Sequence, residues 1–282
     1  MREVRLNNGV VMPSIGFGVY QIPKNDTKRC VLDALEVGYR MIDTAASYFN
    51  EKEVGEAVRE SGLPRESVFV TSKLWVQDYE YDDALKAAEK SLDELGLEYI
   101  DLYLLHKPYG NYYAAWRALE SLYEQGRIRA IGVTSFSDER LQDLYLHNKI
   151  KPAVNQIETH PFRQQQKSNA FLKAEGIVHE TWAPFAEGQR GIFSNPVLAQ
   201  IAAAHGKSIA AVILRWLNQR SVVVIPKSAK RERMVDNFNI FDFALSTAEM
   251  QEIAALNEEK SPIYDEADLA TVRAIGLHTI HE

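Results

Sequence analysis

Apolar residues along this chain follow two different periods. Short runs rich in β-branched and aromatic side chains occur at about 15–20, 40–44, 68–73, 100–105, 129–134, 153–157, 177–182 and 222–226. Between them, apolar residues recur at spacings of three and four. Leu85, Ala88, Leu92 and Leu95 form one such stripe, ended by Gly96. Val31, Leu32 and Leu35 form another, stopped by Gly38, and Trp116, Leu119 and Leu122 a third, stopped by Gly126. The runs predict strands, and the stripes predict amphipathic helices that end at glycine. Further helices are expected near 51–60, 138–147, 164–175, 195–205, 208–219 and 246–256. The runs at 100–105 and 222–225 are nearly continuous in apolar residues, as suits parallel strands covered on both faces. Ahead of them, 4–6 and 10–12 flank Asn7-Asn8-Gly9, which predicts a hairpin.

Eight strands alternating with helices imply parallel pairing through right-handed crossovers. The expected fold is α/β: a (β/α)8 TIM barrel with an N-terminal β-hairpin and a C-terminal tail near the barrel mouth. A doubly wound open sheet is the second choice. No Pro/Gly/Ser-rich linker, low-complexity tract or repeat divides the sequence, so residues 1–282 are read as a single barrel domain.

Composition removes several function classes. With 46% hydrophobic and 25% charged residues the chain is ordinary globular material. Its net charge of -7 argues against nucleic-acid partners, which need a basic face, but a local basic patch can still hold a phosphorylated cofactor. A lone cysteine, Cys30, rules out an intrachain disulfide and reads as a small core residue. No signal-length apolar core opens the sequence and no run of 18 apolar residues occurs, so no membrane span and a cytoplasmic location are expected. The seven histidines form neither a His-x-His pair nor a His-Glu-x-x-His motif, and Gly-x-Ser-x-Gly is absent; neither a metal site nor a nucleophile elbow is expected.

The informative feature is where polar residues fall. Asp43 ends the second strand, Lys73 the third and His106 the fourth. Thr134 and Ser135 end the fifth, Asn155, Gln156 and Glu158 the sixth, Trp182 the seventh, and Lys227-Ser228 the eighth. In a barrel these positions converge on one mouth, where active sites form. Taken singly, Asp43 reads equally well as a cap or ion-pair residue, Lys73 as a snorkelling side chain and His106 as a structural histidine. Their coincidence at seven strand ends is what packing does not account for. Tyr48 lies five residues beyond Asp43, in the loop after strand two. A lysine beside a tyrosine favours phenolate and lowers its pKa, and a carboxylate keeps that lysine charged. A neighbouring histidine can donate a hydrogen bond to a substrate oxygen. The set suits protonation of a carbonyl oxygen while hydride arrives at carbon; no side chain supplies hydride, so a cofactor is required.

Gly38-Tyr-Arg-Met-Ile-Asp-Thr-Ala-Ala-Ser-Tyr48, Thr71-Ser-Lys-Leu-Trp75, Leu104-Leu-His106, Pro152-Ala-Val-Asn-Gln-Ile-Glu158 and Ile225-Pro-Lys-Ser228 resemble the signature segments of the aldo-keto reductase superfamily, in order and spacing. The likeness runs from the hairpin to about residue 256 and is greatest to small bacterial members such as the 2,5-diketogluconate reductases. It implies NADPH-dependent reduction of aldehydes and ketones, including keto-sugars and dicarbonyls, by a monomer. Tyr48 would be the general acid, Lys73 and Asp43 would tune it, and His106 would orient the carbonyl. Thr134, Ser135 and Gln156 would hold the nicotinamide carboxamide, and Trp182 would stack on the ring. Lys227, Ser228 and Arg233 would converge on the adenosine 2′-phosphate while Asn237, four residues after Arg233 on one helix face, meets adenine. Two cations on a phosphate favour NADPH over NADH; a solvated basic run is the plain alternative.

Tyr20, Trp75 and Tyr109 are expected pocket walls. Lys107 stands where the family usually has tryptophan, Thr134-Ser135 where Ser-Asn is common, and Trp182 where tyrosine is commoner. Lys107 therefore points either to an oxygen-rich or anionic substrate or to a lysine reaching into solvent at the rim. Two other classes stay open: a cofactor-binding regulatory protein on the same fold with vestigial catalysis, and a Schiff-base aldolase acting through Lys73.

Overall fold

The computed structural model describes residues 2–282. A hairpin of β1 (Glu3–Arg5) and β2 (Val11–Pro13) opens the chain, with Val4 opposite Met12. Eight parallel strands follow in chain order: β3 (Phe17–Gly18), β4 (Met41–Asp43), β5 (Phe69–Leu74), β6 (Leu102–Leu105), β7 (Ile131–Thr134), β8 (Val154–Glu158), β9 (Val178–Trp182) and β10 (Val223–Val224). Ile15 bridges Val224, the Gly16 amide donates to the Val224 carbonyl at 2.8 Å, and the Gly18 amide donates to the Pro226 carbonyl at 3.1 Å. These bonds join the first strand to the last in the manner of a (β/α)8 barrel. The seam is tight: a Cβ on Gly16 would lie 2.3 Å from the Met41 side chain, and one on Gly18 would lie 3.1 Å from the Ile225 carbonyl. Close backbone approach is the reason for glycine at position 18, whereas at position 16 the Met41 and Ile225 side chains fill the space.

Strand alternation builds two apolar layers. Leu102 and Leu104 of β6 point inward, with Met41, Phe69, Val154 and Val223, and the hairpin residues Leu6 and Met12 plug this interior. Tyr103 and Leu105, the alternate residues, join the outer layer beneath the helices. That layer is covered by α1 (Lys24–Val37), α2 (Glu51–Glu60), α3 (Tyr81–Leu95), α4 (Tyr112–Glu124), α5 (Asp138–Leu146), α6 (Gln166–Glu175), α7 (Pro196–His205), α8 (Ile209–Gln219), α9 (Arg231–Phe238) and α10 (Thr247–Ala254). No single helix among the described residues is long and apolar enough to cross a membrane; α7 and α8, apolar together, are bent by 90°.

The tail brings an element that periodicity does not predict, α11 (Leu269–Leu277), started by Asp268 capping the Thr271 amide at 2.9 Å. No α11 residue is fully buried, so no apolar stripe marks it. The tail crosses the mouth and is tied down along its length. Ser261 donates to Glu158 at 3.0 Å, Tyr109 donates to the Glu266 carbonyl at 2.7 Å, and Trp75 donates to the His278 carbonyl at 2.8 Å. At its end the Ile280 amide donates to Gln77 at 2.7 Å, and His281 pairs with Asp78 at 2.8 Å.

Candidate active site

Lys73 sits at the centre of the barrel mouth, without solvent exposure. Its ammonium donates to Asp43 Oδ1 at 2.6 Å, to the Thr44 carbonyl at 2.8 Å and to Tyr48 Oη at 3.4 Å, so each of its three hydrogens has an acceptor. Burial opposes the charge, but Asp43 and Tyr48 outweigh it and raise the lysine pKa. Strand ends explain the meeting: Asp43 closes β4, and Lys73 lies on the neighbouring β5. Tyr48 is carried by the 3-10 turn Ala46–Tyr48 directly after β4. Burial pushes the Tyr48 hydroxyl up to about 12 while Lys73 pulls it down. Lys73 lowers the tyrosine pKa as expected, but desolvation exceeds the pull of one lysine already shared with Asp43, so the net direction is upward.

His106 follows β6 beside this cluster. Its ring meets Tyr48 edge-on at 5.6 Å and Trp75 edge-on at 5.1 Å, and Ser47 Oγ lies 3.3 Å from Nδ1. Burial first, then Lys73 and Lys107, hold it well below the usual histidine range, so the imidazole is neutral. Thr134 fixes the His106 backbone by donating to its carbonyl at 2.5 Å. Gln156 donates to Asp43 Oδ2 at 3.0 Å and to Glu180 Oε2 at 2.8 Å, which leaves its Oε1 facing the cavity it lines. Ser135 has a left-handed backbone (φ 61°) and is buried, but it does not line that cavity; its hydroxyl faces the Glu266 carboxylate and helps to hold the carboxyl pKa down.

One cavity of about 1440 Å³ joins these residues to the loop after β10. Asp43, Tyr48, His106, Gln156 and Trp182 line one part; Lys227, Ser228, Arg233 and Asn237 line the other. The basic run divides here. Arg231 is paired with Asp33 at 3.2 Å and Glu36 at 2.9 Å, whereas Lys227, Lys230 and Arg233 make no ion pair among the described residues and face the cavity. Ser228 Oγ accepts from the Lys230 amide at 3.1 Å in the turn that starts α9, and Asn237 is buried on that helix.

Tyr20 and Trp75 line the cavity as expected, and the Tyr20 ring lies 4.9 Å from that of Tyr48. Tyr109, expected as a wall, does not line it; its hydroxyl is spent on the tail at Glu266. Lys107 is buried rather than extended at the rim, because Tyr79 brackets its backbone, accepting from its amide at 3.1 Å and donating to its carbonyl at 3.0 Å. The Lys107 Nζ hydrogen-bonds Tyr264 Oη and faces Trp182 at 5.6 Å. Trp182 itself stacks with Tyr264 at 5.7 Å and 14°.

Sequence reading missed Glu180, Ser47, Tyr264 and Glu266. Glu180 carried a signal, a carboxylate in the middle of a strand whose neighbours are buried. Burial and the adjacent Asp43 push it up to about 8. The tail residues carried none, since contacts 157 positions apart have no local periodicity.

Residues 14–258 match the model of the Aldo/keto reductase family. The chain is 48% identical over 259 residues to glyoxal reductase of Bacillus subtilis, covering 91% of this chain and 93% of that protein. It is 40% identical over 260 residues to methylglyoxal reductase DkgA of Escherichia coli, covering 91% and 94%. Among solved structures, the aldo-keto reductase MGS-M4 from a deep-sea metagenome superposes with a TM-score of 0.92 at 44% identity, over 94% of this chain and 99% of that one. A strand-end cluster of Asp43, Tyr48, Lys73 and His106 on this fold, together with these likenesses, places the chain in the aldo/keto reductase family, among the oxidoreductases.

Proposed function

We propose that the protein reduces small aldehydes, ketones and 1,2-dicarbonyls to alcohols with NADPH, and that Tyr48 protonates the nascent alkoxide. The observation that carries this reading is the ammonium of Lys73, buried between Asp43 and Tyr48, both of which line a cavity that neutral His106 also lines. Protonated Tyr48 supplies the proton. With Nδ1 accepting from Ser47, His106 keeps its second nitrogen as a donor to the carbonyl oxygen. A bound nicotinamide would supply the hydride. The residues fit such a group: Gln156, anchored by Asp43 and by Glu180, keeps its carbonyl free toward the cavity, and Trp182 lines the same cavity. Thr134 contributes less directly than its position implied, as its hydroxyl proton goes to His106. Lys227 and Arg233, without an ion pair among the described residues and facing the cavity, would meet a 2′-phosphate.

The aldolase reading through Lys73 is disfavoured because a lysine held as ammonium by Asp43 has no lone pair to attack with. The test is loss of NADPH absorbance with glyoxal, methylglyoxal, keto-sugars and simple aldehydes. Turnover with several of them is expected, with the dicarbonyls included because the relatives are named for glyoxal and methylglyoxal. Tight NADPH binding without oxidation by any of them would instead support the regulatory reading.

A further inference from the structure

Two lysines lie at the mouth, and only one is locked in place. Lys73 is ion-paired with Asp43 at 2.6 Å; Lys107 makes no ion pair among the described residues. Its amine lines the same cavity as Tyr48 and His106, lies over the Tyr264 ring at 4.9 Å and hydrogen-bonds the Tyr264 hydroxyl. We infer that Lys107 is a covalent, imine-forming site for small aldehydes and 1,2-dicarbonyls that enter this cavity. The inference rests on the carbonyl-pocket reading above and adds a second fate for the same ligands.

The surroundings favour the free amine. Burial is the largest influence and lowers the lysine pKa; Lys73 on β5 lowers it further. Glu266 of the tail and Glu158 of β8 act the other way without reversing the result, and neutral His106 adds no charge. Desolvation in an aromatic pocket and a second cation nearby are the conditions that make lysine a nucleophile. In the reaction the nitrogen lone pair forms the C–N bond, and the carbonyl oxygen takes a proton to give a carbinolamine. The C–O bond then breaks, the nitrogen lone pair closes the C=N bond, and the oxygen leaves as water with the two amine hydrogens. No electrons enter or leave. Tyr264, whose pKa burial raises strongly, remains protonated and is placed to hand its proton to the departing oxygen and regain one from nitrogen.

The test uses the full chain without nicotinamide cofactor, with propionaldehyde and cyanoborohydride to trap imine as a secondary amine, read by peptide mapping. Labelling is expected at Lys107 about tenfold faster than at Lys149, whose side chain is 80% exposed. Tyr264→Phe should slow the Lys107 rate several-fold and leave Lys149 unchanged, a control within the same molecule. Labelling of Lys107 no faster than Lys149 overturns the inference. NADPH oxidation assayed on the same preparation separates the two readings. Reduction without selective labelling removes the covalent site alone; selective labelling without reduction supports the site and removes the reductase reading.

Discussion

Tyr48 gains its place from its neighbours. A tyrosine pushed up to about 12 is fully protonated at neutral pH, which suits an acid and handicaps the same group as a base. Tyr48→Phe should therefore lower kcat/KM for carbonyl reduction by about 10²–10⁴-fold while NADPH titrates with nearly unchanged affinity, as fluorescence would read. Retention of wild-type turnover would move the acid elsewhere. Glu180 offers a second test at this scale. Unfolded, a glutamate ionises near 4.5; buried beside Asp43, this one keeps its proton to about 8. The folded state thus binds the extra proton, and the associated stability is fully present below about 4.5 and lost as pH rises to about 8. Glu180→Gln imitates the protonated acid and can still accept from Gln156. Its melting temperature should exceed the wild type's above pH 8, with a flatter curve on the acid side. Parallel curves would mean that folding leaves the Glu180 pKa at its ordinary value. Asp43, Lys73 and His106 were legible as strand ends, whereas Glu180 showed in the sequence only as an odd mid-strand carboxylate, because its meaning depends on Gln156 of the neighbouring β8 turning toward it.

At the scale of elements, helices were legible where one face is buried and illegible where none is. The stripe of α3 and its Gly96 stop appear in the sequence and in the structure, while α11, without a buried face, leaves no periodic trace. The crossing of α2 and α3 depends on one missing methyl. A Cβ on Gly55 would sit 1.8 Å from the Leu95 carbonyl, a backbone atom that cannot swing aside. Gly55→Ala should cost about 1–3 kcal/mol or more by chemical denaturation, with the slope of the transition preserved; no loss would mean that the helices separate freely. The tail has a pH-dependent fastening of its own. Asp78, by hydrogen bonding, raises the His281 pKa above its ordinary 6.5. The charged pair is fully formed below that value and is lost as pH rises through the raised one. Proteolysis within 257–282 should accordingly speed up as pH rises above the ordinary 6.5 and through the raised value, relative to an unstructured peptide control. His281→Gln should show the faster rate at both ends.

The whole molecule follows from strand count and closure. Eight apolar runs were enough to predict a barrel, and its mouth gathers polar strand ends, as general barrel architecture requires. The path of the tail over that mouth was not legible, because its anchors at Trp75, Gln77 and Asp78 lie about 200 residues away and are read only in three dimensions. The same architecture makes one cavity touch β4, β7, β8, β9, the segment after β6 and the loop before α9. A ligand filling it would bind the folded state alone and stabilise all of these at once. At a hundredfold excess over Kd the gain is about 2.7 kcal/mol. For a chain of this size that corresponds to roughly 5–10 °C in Tm. NADPH should produce such a shift and NADH a clearly smaller one, since only NADPH carries the phosphate that Lys227 and Arg233 are free to meet. Arg233→Ala should remove most of the difference between the two cofactors and leave the NADH shift intact. Equal shifts in the wild-type protein would mean that the unpaired cations beside α9 are solvated and that the cofactor preference is set elsewhere.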